Sequence, residues 1–136
     1  MTVWDLQAND SLPERFTLGP ISRTDVVRYQ GASGDFQPIH HDEPFAREAG
    51  YQAPLVIGMY PAGAASLWVA KQFGIDCVRE THIRWSARVW PGDRLTGTAQ
   101  IERIDGSARW LGMTLRNEKN ETVLTLRMRL VRIGSK

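Results

Sequence analysis

Ser33-Gly34-Asp35-Phe36-Gln37-Pro38-Ile39-His40-His41-Asp42 is the stretch on which the reading of this chain turns. It gathers two acids and two histidines around a glycine and a proline. Gly34 is permissive at φ and Pro38 fixes it, so the stretch reads as an irregular turn between regular elements. Asp35 and His40 stand five residues apart, close enough for one compact turn to aim both side chains into one pocket. An Asp that orients or accepts a proton beside a His that exchanges one near neutral pH is a minimal acid–base pair. The same residues also fit a solvated polar loop whose Asp caps a helix, and spacing by itself does not separate the two.

The segments on either side favour short helices. Ser22 is placed as an N-cap before Arg23-Thr24-Asp25, and the predicted helix stops by Gly31 or Gly34, delivering the chain into the turn. Asp42 caps a second helix over residues 43–49, with Pro44 in its first turn and Gly50 as its stop. From Gly58 to Phe73 the apolar residues fall on every side, which predicts a buried central helix beginning near Gly58 because Pro61 fits only a first turn.

Beyond Ile75 the period changes to two. Val78, Glu80, His82 and Arg84 alternate with Arg79, Thr81, Ile83 and Trp85; strands over 95–104, 108–116 and 122–133 follow, separated by turn residues. Phe16-Thr17-Leu18 is a further short strand, and residues 1–15 read as an N-terminal arm with a few anchoring side chains. The expected architecture is α+β, a single domain over 1–136 in which one long helix meets a meander of about four antiparallel strands.

A length of 136 residues suits one core. A net charge of +2 is too small to point to nucleic acid, and the late arginines alternate with apolar residues as solvent-facing strand positions do. The single cysteine, Cys77, excludes an internal disulfide framework. No run of apolar residues is long enough for a membrane span, and the N-terminal residues lack the layout of a signal peptide, so a cytoplasmic domain without membrane or nucleic-acid partners is expected. No His, Cys and Asp spacing marks a metal site, and neither a phosphate-binding glycine loop nor a nucleophile elbow is present. His82 reads as a half-exposed strand residue. The five tryptophans read as core or interface, with Trp90 and Trp110 as candidate contacts.

Tyr29-x-x-x-Ser33-Gly34-Asp35-x-x-Pro38-Ile39-His40-x-Asp42, continued by Ala46, Gly50, Pro54 and Gly58-Met59, resembles the signature of the MaoC-like branch of the hot-dog fold. Members include R-specific enoyl-CoA hydratases and 3-hydroxyacyl thioester dehydratases. Arg84-Trp85-x-x-x-Val89-x-Pro91-Gly92-Asp93-x-Leu95 is similar to the strand, turn and strand after the family's central helix. The resemblance implies a long central helix wrapped by an antiparallel sheet. It implies that Asp35 and His40 activate one water for reversible addition to a trans-2-enoyl thioester of CoA or acyl carrier protein, with no further cofactor. It also implies that the Gly58 N–H polarises the thioester carbonyl and that Ser66 bonds the catalytic acid. Ser33, Gln37, Ile57 and Met59 would complete the substrate-binding set.

Three positions depart from the family pattern. Gln37 stands where hydratases usually carry Asn, His41 adds a second histidine, and Ile57 replaces a His next to Gly58. An apolar Ile57 beside the carbonyl-binding N–H would favour branched or ring-bearing acyl groups. The Phe-Gln and His-His-Asp combination is similar to small MaoC-like subunits that work with a second hot-dog chain, so a homodimer or heterodimer is expected. A hot-dog thioesterase and a subunit that merely completes an acyl tunnel are the rival readings, and fold alone does not choose among them.

Overall fold

The computed structural model describes residues 2–134. Six strands form one antiparallel sheet: β1 (Phe16–Leu18), β2 (Val78–Trp85), β3 (Leu95–Gly97), β4 (Ala99–Asp105), β5 (Ala108–Arg116) and β6 (Thr122–Val131). Their spatial order is β1-β3-β5-β6-β2, with β4 also paired to β5. The helices are α1 (Arg23–Ser33), α2 (Glu43–Glu48) and α3 (Met59–Phe73).

The expected meander holds for β4, β5 and β6 and fails for β2. That strand runs beside β6, with Ile83 opposite Leu126, and among the described residues has no partner on its other edge. Period-two patterning identifies a strand without naming its neighbour, and here residues 86–94 make a crossing instead of a hairpin. Val89 accepts the Val56 N–H at 3.0 Å, and the Ile21 N–H reaches Asp93 at 3.0 Å. These bonds carry the chain across the domain before β3 joins β1 at the far side of the sheet.

Alternation along β4–β6 sends Ile101, Leu111, Leu115, Leu126, Met128 and Leu130 inward, all essentially sealed from solvent. They pack on α3, where Ala62, Ala65 and Val69 are fully buried and let the sheet approach closely. The all-round burial expected of α3 is incomplete: Met59 and Leu67, two turns apart, are 46% and 48% exposed. One side of the central helix is therefore uncovered in the single chain.

The arm does more than anchor. The Trp4 indole N–H donates to the Phe73 carbonyl at 3.2 Å, and its ring meets Phe73 edge-on. Backbone bonds from Asn9 and Leu12 to Ile101 and Ala99 extend the sheet beside β4. Among the tryptophans expected at a contact, Trp90 packs on Tyr51, while Trp110 lies on the outer sheet face with Arg103 and Arg127 over its ring. It is Trp85, at the end of the unpaired edge strand, that is 46% exposed.

Candidate active site

Helix α1 positions the turn. Ser22 and Asp25 form a reciprocal capping box at its start, and Gly34 ends it at φ 76°, a left-handed conformation that glycine adopts without strain. The chain then turns tightly. The Asp35 N–H donates to Ser33 Oγ at 3.2 Å, and Asp35 Oδ1 accepts the Gln37 N–H at 3.2 Å. Ser33 and Gln37 thus support the turn through its backbone, and the Asp35 carboxylate sits exposed at its tip.

Gln30 holds the turn from below. It is the buried polar residue of the core, 3% exposed, one helical turn after buried Val26. Its amide donates to the carbonyls of Asp35 and Gln37 at 3.1 and 3.4 Å, and its oxygen faces His41 Nδ1 at 3.2 Å. The additional histidine of the sequence therefore braces the turn. Gln30 was missed in the sequence; the signal was a polar residue occupying the buried stripe of an otherwise solvent-facing helix.

His40 ends a short 3-10 turn, Pro38–His40, and is partly buried. Its Nδ1 lies 2.8 Å from the Leu55 carbonyl. A carbonyl only accepts, so Nδ1 carries a proton, and in the neutral form of the ring Nε2 is the unprotonated nitrogen. The Leu55 N–H returns a bond to the Ile39 carbonyl at 3.0 Å, so the histidine turn is clamped to the segment leading into α3. Gly58 follows Leu55 by three residues, at most about 10 Å of chain.

Gly58 is the N-cap of α3; Pro61 has no N–H and the Tyr60 N–H donates to the Ile57 carbonyl at 2.9 Å, so among the described bonds the N–H groups of Gly58 and Met59 are the ones left open at this helix start. The Trp85 indole donates to the Gly58 carbonyl at 2.8 Å. A Cβ at Gly58 would lie 3.0 Å from that indole nitrogen, which gives glycine here a packing reason. Met59 opens α3 on its exposed side, whereas Ile57 is 5% exposed.

Ser66 departs from the implied role. Its hydroxyl donates to the Ala62 carbonyl at 2.7 Å, one turn back along α3. Among the described residues it makes no bond to Asp35. Nor, among the described residues, are Asp35 and His40 bonded to each other; Asp35 is exposed, His40 is partly buried, and Phe36, at 66%, and Met59 are exposed as well. Among the described residues, no group of three or more His, Cys, Asp or Glu side chains is placed to hold a metal ion. No helix among them is long and apolar enough to cross a membrane.

Residues 10–123 match the MaoC like domain, and the chain belongs to that family of hot-dog proteins. It is similar to the peroxisomal enoyl-CoA hydratase 2 of Arabidopsis thaliana, 30% identical over 95 residues that cover 68% of this chain and 29% of the relative. The probable enoyl-CoA hydratase 2 of Dictyostelium discoideum is 26% identical over 89 residues, 63% of this chain and 30% of the relative. The chain thus spans less than a third of the length of these two relatives.

Among solved structures, the (R)-hydratase from A. caviae involved in PHA biosynthesis superposes with a TM-score of 0.82 at 18% identity, covering 95% of this chain and 98% of that one. A chain of the ChsH1-ChsH2 complex from Mycobacterium tuberculosis also gives 0.82, at 20% identity with 93% and 98% covered. At these identities the two structures show the shared fold.

Proposed function

We propose that the chain is a hydro-lyase that adds water reversibly across the double bond of a trans-2-enoyl thioester carried on CoA or acyl carrier protein. The observation that carries this reading is the His40 ring, whose Nδ1–H is committed to the Leu55 carbonyl and whose free Nε2 stands on the turn clamped beside the start of α3. Nε2 takes a proton from a water held between His40 and Asp35 as the water oxygen bonds to C3. The C2–C3 π electrons move toward the thioester carbonyl, and its developing oxyanion is stabilised by N–H groups at the start of α3. The proton held on Nε2 is then delivered to C2, which completes the addition of one water and regenerates the free base, and dehydration runs the same steps backward. Gln37, Met59 and Ile57 would border the acyl group, while Ser33 supports the acid.

The active unit includes a second hot-dog subunit, identical or related. Asp35 is exposed in the single chain, and water-excluded electrostatics require that the site be covered. The uncovered side of α3 and the unpaired edge of β2 lie ready for such a partner. The test is a hydration assay with crotonyl-CoA, in which free thiol is also measured. Saturable hydration that falls 100-fold or more in both Asp35→Asn and His40→Ala, on the order of acid–base contributions, is the expected result. Thiol release without hydration would convert the reading to a thioesterase. Normal turnover in either variant would remove the mechanism.

A further inference from the structure

Trp85 is the last residue of β2 and shares the parity of Ile83, so its side chain lies on the sheet face that packs against α3. Its cross-strand partner is the buried Leu124. Just beyond it, the Ser86 and Ala87 N–H groups both donate to the carbonyl of buried Val123, at 2.7 and 3.2 Å. The root of the indole is thus pinned to β6. Its N–H reaches the Gly58 carbonyl at 2.8 Å, across 27 residues of sequence. An indole nitrogen only donates and a carbonyl only accepts, so the direction of this bond is fixed.

The Gly58 carbonyl and the Met59 N–H are the two ends of one planar peptide unit. Among the described bonds that N–H has no acceptor, and neither has the Gly58 N–H beside it. A donor on the carbonyl end holds the plane of the unit and draws electron density toward the oxygen. The N–H end becomes a stronger donor, as in any chain of hydrogen bonds. The bond from Trp85 therefore strengthens a contact that the chain does not make within itself. The indole is also fitted closely to this peptide: a Cβ on Gly58 would meet its Nε1 and Cδ1 at 3.0 and 3.2 Å.

We propose that Trp85 is a positioning residue. Through the Gly58 carbonyl it orients and polarises the Gly58–Met59 peptide, so that the Met59 N–H joins that of Gly58 in receiving the oxyanion that develops on the thioester. The inference deepens the proposed hydration and rests on it for the identity of the acceptor.

The assembled full chain would be compared with Trp85→Phe, which keeps a ring and removes the donor. Infrared spectroscopy reads the carbonyl stretch of bound butyryl-CoA labelled with ¹³C at that carbon, a thioester with no C2–C3 double bond to hydrate. The wild type is expected to move the stretch to lower wavenumber than in solution, and the variant to undo most of that shift. With crotonyl-CoA, kcat is expected to fall about tenfold at unchanged KM, short of the roughly 100-fold that loss of a direct oxyanion donor costs. A loss of folded protein would lower kcat and leave the stretch in place, so an unchanged stretch in the variant overturns the inference. So does a wild type that fails to bind butyryl-CoA or leaves its stretch at the solution value. Where the variant sediments differently from the wild type, the wild-type Trp85 indole N–H resonance decides: it shifts when butyryl-CoA binds if the peptide is shared, and an unmoved resonance overturns the inference. A Trp85-dependent stretch without hydration would remove the proposed reaction and leave the positioning role, whereas hydration at wild-type kcat in Trp85→Phe would do the reverse.

Discussion

At the scale of single residues, the bond from His40 Nδ1 to the Leu55 carbonyl fixes which ring nitrogen is left free, and Gln30 fixes the loop that carries Asp35. Gln30→Leu would leave two carbonyls in a part-buried loop without their donor, at a cost of roughly 1–3 kcal/mol. The variant is expected to unfold at lower denaturant and to lose turnover along with it, a coupling that chemical denaturation and steady-state rates would show. Gly58→Ala presses a methyl against the Trp85 indole. Its turnover is expected to fall with a shift in tryptophan fluorescence, and adding Trp85→Phe should not restore the wild-type rate, because the indole bond to Gly58 is then gone. Full recovery in that double variant would reduce Trp85 to a steric neighbour. Because Ile57 is buried, Ile57→His is expected to cost stability of roughly 1–3 kcal/mol as a buried polar group. Its selectivity between linear and branched acyl groups must therefore be measured at temperatures where the variant is folded.

At the scale of the elements, the Asp35–His40 turn is only as well placed as the helices that enter and leave it. Asp42 Oδ1 accepts the Phe45 N–H at 3.0 Å at the start of α2, and Asp42→Ala is expected to lower stability by about 1 kcal/mol, read from denaturant melts. Arg23 of α1 pairs with Glu43 of α2 at 2.6 Å, an exposed contact whose loss should be nearly silent. The Ser22 backbone and hydroxyl bonds hold the Asp25 carboxyl below its ordinary range. A lowered pKa in the folded state means that this stabilisation is present above the ordinary carboxylate range and is lost as pH falls through the lowered value. The stability difference between wild type and Asp25→Asn should therefore be largest near neutrality and shrink in strong acid. A difference independent of pH would contradict the capping account.

At the scale of the whole molecule, one edge of the sheet and one side of the central helix lack partners. The β2 edge, exposed Trp85, and Met59 and Leu67 on α3 are apolar or hydrogen-bonding groups that a lone domain leaves to water. Two such domains joined through β2 would make one continuous sheet and cover both helices. Sedimentation of the purified chain is expected to show a dimer, or a monomer that dimerises when a related chain is supplied. Leu67→Arg should shift either assembly toward the monomer with its circular dichroism unchanged. A stable monomer with full hydration activity would contradict the requirement for a partner.

Much of this was legible in the chain itself. Ser22, Gly34, Asp42 and Gly50 act through their own backbone neighbours, so the two short helices and the turn between them could be read with near-correct limits. Period-two alternation likewise marked the strands, and the motif around Asp35 and His40 marked the family. What the tertiary structure decided were the relations between distant segments. The pairing of β2 with β6 depends on residues 86–94 bonding to Val56 and Ile21, which no local pattern encodes. The tautomer of His40 depends on a carbonyl fifteen residues away. The Ser66 hydroxyl bonds within its own helix because the Ala62 carbonyl is the acceptor within reach, while Asp35 stays exposed on the loop. Side chains satisfied by near neighbours in the chain are written in sequence; those satisfied across the fold exist only once it has closed.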